Sequence, residues 1–157
     1  MSRRRTAQKR RAIPDGRYGS LLVTRLISSV MQSGKKSTAE KIVYGAFDSI
    51  KDKSKGGEPL DVLQKAVDTV KPRLEVKSRR VGGATYQVPM EVPSERQVAL
   101  AFRWMVGFAQ ARKGVPMRDA LAGEILDASQ GQGNAVKKRD DVHKMAQANK
   151  AFAHLRF

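Results

Sequence analysis

The chain has 157 residues, enough for one domain with a real core, and carries 31 Lys and Arg against 15 Asp and Glu, a net charge of +16. That balance points first to nucleic acid as partner and second to an anionic membrane surface. No cysteine is present, which excludes disulfides and thiolate metal sites, and no apolar run approaches transmembrane length.

The first twenty residues carry +6 and almost no apolar groups, with Arg3, Arg4, Arg5, Lys9, Arg10 and Arg11 at the front. No apolar h-region follows, so they do not form a secretory signal. No apolar stripe accompanies them, so they do not form an amphipathic transit segment either. Residues 1–19 are therefore expected to be a disordered basic arm that orders on a polyanion, and residues 20–157 a single domain. Pro14-Asp15-Gly16 supplies the turn that ends the arm.

Ser20 is placed to cap a helix over about 21–32, with Leu22, Val23, Leu26, Ile27 and Val30 at helical spacing and Gly34 as the stop. Lys35 and Lys36 then stand in a short loop before a second helix, about 38–52, whose Ser37-Thr38-Ala39-Glu40 has the pattern of a capping box. Lys53-Ser54-Lys55-Gly56-Gly57 breaks the chain. Pro59 opens a third helix to about Val70, and Pro72 closes it.

From 73 to 92 the pattern changes to Val, Thr and Tyr around Gly82-Gly83, which predicts a β-hairpin. A three-residue loop, Gly82-Gly83-Ala84, pairs residue 76 with 90 and gathers Leu74, Val76, Val88 and Met90 on one face, so this register is expected. Arg79 and Arg80 then sit beside an exposed tip. A two-stranded ribbon is marginal alone, so its base must rest on the body while its basic end projects.

After the hairpin, Ser94-Glu95-Arg96-Gln97 suggests another capping box, and a helix over about 95–112 is apolar nearly all round. That helix is expected at the centre of the core, with Trp104 packed inside rather than serving as a base-stacking platform. Pro116 starts a fifth helix to about Ser129. Asn134 is placed to cap a sixth, about 135–149, which opens with Lys137-Lys138-Arg139. Cations in a first turn oppose the helix dipole, and a bound phosphate there would relieve the conflict. The fold class is mainly α, a single domain of about six helices with one protruding β-hairpin inserted between the third and fourth.

Little catalytic chemistry is present. His143 and His154 stand eleven apart with no carboxylate or cysteine at ligand spacing, so no metal site is expected. No glycine-rich loop leads into Lys-Ser/Thr, and no serine elbow appears. The carboxylates are spread singly along helices and are expected to be solvated or ion-paired. Neither an enzyme, a cofactor nor a small-molecule substrate is indicated. Taken alone, Lys35-Lys36 and Arg79-Arg80 also suit solvated turns. The charge map decides: +14 of the +16 falls in residues 1–20, 71–90 and 134–157.

Gly34-Lys35-Lys36 with Ala39, Ile42, Val43 and Ala46, the run Leu74 to Pro89, Arg103-Trp104, and Val136 to Ala146 with Asn149 to His154 together resemble the family of the seventh protein of the small ribosomal subunit, in its bacterial form. The resemblance covers essentially the whole chain. It implies a structural, non-enzymatic component of the cytoplasmic ribosome that binds the 3′ major domain of 16S rRNA, nucleates assembly of the subunit head, and lies by exit-site tRNA and mRNA among neighbouring small-subunit proteins. Carried onto this sequence, it implies rRNA contacts from Arg3, Arg4, Arg5, Lys9, Arg10, Arg11, Lys35, Lys36, Arg73, Lys77, Arg79 and Arg80. It also implies tRNA or mRNA proximity for Arg79, Arg80, Val81, Gly82, Gly83, Lys137, Lys138 and Arg139.

The residues alone support the same direction, since separate basic elements around a neutral core suit a folded RNA better than a regular duplex. Two alternatives remain: an architectural DNA-bending protein with a basic β arm, and a translational repressor acting on messenger RNA.

Overall fold

Ser20 accepts the Leu22 amide at 3.2 Å and starts α1 (Leu21–Val30), as the sequence leads one to expect. The computed structural model describes residues 12–54 and 57–155. Arg3, Arg4, Arg5, Lys9, Arg10 and Arg11 lie outside that range, as do residues 55, 56, 156 and 157. Beyond α1 come α2 (Lys36–Lys53), α3 (Pro59–Val70), β1 (Leu74–Val81), β2 (Ala84–Glu91), α4 (Ser94–Ala111), α5 (Met117–Ser129), α6 (Asn134–Ala148) and a closing 3₁₀ segment, Lys150–Leu155. The mainly α class with one inserted hairpin is what the pattern predicts.

The caps of α2 and α4 differ from expectation. α2 begins at Lys36 and α4 at Ser94, so the hydroxyls foreseen as caps already lie inside the first turns, and neither helix has a side-chain cap. Packing also begins ahead of Ser20. Asp15 is only 8 % exposed, and Tyr18 stacks edge-on against Phe47 with ring centres 5.1 Å apart.

The centre of the core is α5, not α4. α5 packs against α2, α3, α4 and α6, and its Ala120, Ala122 and Ala128 let several neighbours approach at once. α4 buries Leu100, Phe102, Met105 and Val106 but leaves Ala99, Arg103, Gly107 and Gln110 at the surface. Hydrophobicity on all sides measured apolar content, whereas centrality required small size. Phe47, Phe102, Leu26, Ile50, Leu63 and Ile125 are fully buried, each worth roughly 1.5–3 kcal/mol of transfer free energy. Trp104 is partly buried and packs against this core.

The hairpin register also differs from the one expected. Leu74 pairs with Glu91, Val76 with Pro89 and Val81 with Ala84, leaving a two-residue turn at Gly82-Gly83. Both glycines have positive φ, 57° and 89°, which fits the type I′ turn whose twist matches the strands. Val88 and Met90 therefore share a face with Lys77 and Glu75, not with Leu74 and Val76. Both faces of the base are covered: Val88 and Pro89 point opposite ways, and both are buried. Contacts with α6 and with the 3₁₀ segment hold the ribbon.

Candidate nucleic-acid interface

The ribbon's cations do different jobs. Arg73, Lys77 and Arg80 are exposed. Lys77 stands 3.5 Å from Glu75, and Glu75 is itself held by the Arg96 guanidinium at 2.9 Å. Arg79 is half-buried and donates to the Leu155 carbonyl. Tyr86, across the ribbon from Arg79, packs on Phe152 at 5.3 Å. Expected beside a solvated tip, Arg79 is instead tied to the C-terminal segment. The tip proper is Val81, 38 % exposed, with Gly82 and Gly83.

At the start of α6, Lys137 and Lys138 are exposed, but Arg139 turns inward. It donates to the Thr69 carbonyl in the last turn of α3 and to Asp140 Oδ1 at 2.6 Å. Asn134 does not cap this helix. Glu124 of α5 does that work: fully buried, it accepts the Ala135 amide at 3.1 Å through Oε1 and the Arg112 guanidinium at 2.7 Å through Oε2. A carboxylate expected to be solvated or ion-paired is thus ion-paired, but in the core, where it also supplies the anion that the dipole of α6 favours. The first-turn conflict is met from inside the protein. Arg112 also donates to Asp127 at 2.8 Å, and these two bonds, the one to Asp127 foremost, raise its pKa.

Lys35 and Lys36 are exposed at the α1–α2 junction. Lys36 lies 3.4 Å from Glu40, one turn on, while Lys35 precedes a helix start without a side-chain cap. Beyond these foreseen residues, the fold assembles a surface that linear reading misses. α1 and α4 lie side by side with small residues, Ser28, Ser29 and Ala99, along their seam. One cavity, about 720 Å³, lies between Ala12, Arg25 and Phe102. The next, about 500 Å³, shares Ser29 and Ala99 with it and reaches Arg103. A third, about 480 Å³, shares Gln32 and Gln110 with the second and reaches Lys35. The three lie in a row as a segmented groove, each sharing lining residues with the next. Arg25 and Arg103 line neighbouring cavities only because α1 meets α4, and no local motif marks them.

The chain enters this groove from a fixed point. Asp15 Oδ2 accepts the Arg17 and Tyr18 amides at 3.1 and 3.0 Å, Oδ1 accepts the Tyr44 hydroxyl at 2.7 Å, and Thr24 Oγ1 donates to the Ile13 carbonyl at 2.9 Å. Burial disfavours the Asp15 charge, but the Tyr44 hydroxyl and the two amides outweigh it and hold its pKa below the usual 3.8. The same bond to Asp15, aided by burial, pushes the Tyr44 phenol up to about 12.

Among the described residues no three His, Cys, Asp or Glu side chains gather as metal ligands, and no helix is long and apolar enough to cross a membrane. What the surface offers is cations, amides and hydroxyls along a groove, with one carboxylate, Glu95, in its first cavity.

Comparison with known proteins points the same way. The family described as ribosomal protein S7p/S5e matches residues 2–150. Over all 157 residues, with both chains covered completely, the sequence is 62 % identical to small ribosomal subunit protein uS7 of Sorangium cellulosum and 57 % identical to that of Beijerinckia indica. It is 56 % identical to that of Pseudomonas aeruginosa.

Proposed function

Since this chain belongs to the ribosomal protein S7p/S5e family, we propose that it binds the 3′ major domain of 16S rRNA and nucleates the head of the small subunit. Family membership makes it a structural constituent of the small ribosomal subunit, an RNA-binding protein of the translation machinery and not an enzyme. The observation that carries the finer reading is the row of cavities along α1 and α4, lined in turn by Arg25, Arg103 and Lys35.

A row of cations broken by the one carboxylate Glu95 suits one irregular RNA strand, with phosphates at the guanidinium and ammonium groups. The six Arg and Lys of residues 1–11, at the front of the basic arm 1–19, precede it in sequence. Arg73, Lys77 and Arg80 add a second contact region on the ribbon. Val81, Gly82 and Gly83 at the tip, with Lys137 and Lys138 on α6, face exit-site tRNA and mRNA in this proposal. Arg79 and Arg139 act one step back, holding the ribbon and α6 in place. Neighbouring small-subunit proteins complete the set of partners.

The test is titration of the full-length chain with a 3′ major domain transcript at several salt concentrations. Steep weakening with salt is expected, and Arg25→Ala with Arg103→Ala should flatten the slope by about two phosphate contacts. Unchanged affinity and slope in that pair would remove the groove from the interface.

A further inference from the structure

The third cavity differs from the rest of the groove. Its floor is apolar, formed by Val30, Ile42 and Met117 with the exposed Val115 at its edge, and it lies where the end of α1, the start of α2, the end of α4 and the start of α5 converge. Its rim carries the amides of Gln32 and Gln110, which make no side-chain hydrogen bond among the described residues, and the ammonium of Lys35, which makes no ion pair among them. Among the described residues no carboxylate lines it.

Resting on the RNA-binding reading above, we propose that this cup takes the base of one unstacked nucleotide, with the adjoining phosphate at Lys35. An apolar floor accepts the flat faces of a base, and carboxamides match the donor–acceptor pairs along its edge. The volume, about 480 Å³, falls within the range of small-ligand sites, roughly 300–1,000 Å³. The absence of acid suits an anion, and the groove past Arg25 and Arg103 delivers a strand to it. The cup is thus a point of base recognition at the end of a track that otherwise holds backbone.

The test uses the full-length chain and the 3′ major domain transcript, with binding measured against salt and Watson–Crick edges probed chemically. Gln32→Ala with Gln110→Ala should bind about tenfold more weakly, the worth of two ordinary hydrogen bonds, with the salt slope unchanged because neither group meets a phosphate. One base protected by the parent chain should become reactive in this variant. Replacing that nucleotide with an abasic residue should weaken the parent by a similar factor and the variant little further. Val115→Trp fills the cup from an exposed position, 47 % accessible, so it should reproduce the loss while its melting temperature stays put.

If the parent binds with steep salt dependence but no base protection depends on Gln32, Gln110 or Val115, the cup is not a base site although the RNA reading stands. If the parent does not bind the transcript at all, the RNA reading itself fails. Normal RNA binding and protection by Val115→Trp, with failed incorporation into subunits, would also overturn the proposal and assign the cup to a protein side chain.

Discussion

The Arg79 guanidinium donates to the Leu155 carbonyl oxygen at 2.5 Å, so a side chain from the outer half of the ribbon is bonded to the last described turn of the chain. Beside it Tyr86 leans on Phe152. The two residues of the Arg79-Arg80 pair therefore have unlike roles.

Arg80→Ala should leave the stability of the free protein unchanged, because an exposed charge contributes little. Arg79→Ala should release the 3₁₀ segment at a cost of about 1 kcal/mol. Hydrogen exchange at residues 150–155 distinguishes them: faster exchange in both variants, or in neither, contradicts the assignment.

Glu124→Ala should cost roughly 3 kcal/mol, since it strips Arg112 of its buried partner and the Ala135 amide of its acceptor. Glu124→Gln keeps a carbonyl acceptor and should cost less. Denaturant melts of the two variants give the comparison, and equal losses would show that the charge alone matters.

His143 Nε2 accepts the Arg73 amide at 3.0 Å, which requires a neutral ring. Burial, then the nearby Arg139 charge, holds its pKa below the usual 6.5. Folded protein thus binds this proton less readily than unfolded protein does. Its contribution is full above about pH 6.5 and falls as pH drops toward the lowered folded value. Melts should show lower stability at pH 5.5 than at 7.5, and His143→Asn, which keeps an acceptor, should reduce the difference. The Asp15 and Asp68 carboxyls, both held below 3.8, do not titrate in that window.

Deleting residues 1–11 should leave the melting of the domain nearly unchanged while weakening rRNA binding, since six Arg and Lys go with the segment. A melt beside an affinity titration tests both halves. A melting temperature lowered by many degrees would make the segment part of the fold.

Much of the architecture is legible in the sequence because its signals are local. Pro59 opens α3 and Ser20 caps α1 without help from distant residues. The misread features depend on contacts that no local window contains. Apolar alternation implies a hairpin register with one covered face, but α6 and the 3₁₀ segment bury Val88 and Pro89 on opposite faces. Glu124 looks like any helical acid until Arg112 and the start of α6 close over it. The groove cations Arg25 and Arg103 are 78 positions apart in sequence and line neighbouring cavities only through the packing of α1 on α4. For the candidate site, therefore, sequence located the basic elements, and the fold decided which of them reach outward.

The bond between Arg79 and Leu155, together with that between Arg73 and His143, makes the ribbon a braced cantilever. It is pinned at its root to α6 and propped partway along by the chain's end. A lone ribbon bends easily about its root, but a prop shortens the free span and stiffens what lies beyond it. Only the outermost turn, Val81 to Ala84, is left to yield when something presses on it. A load applied there is passed through His143 into α6, whose first turn is anchored by Glu124 at the centre of the core.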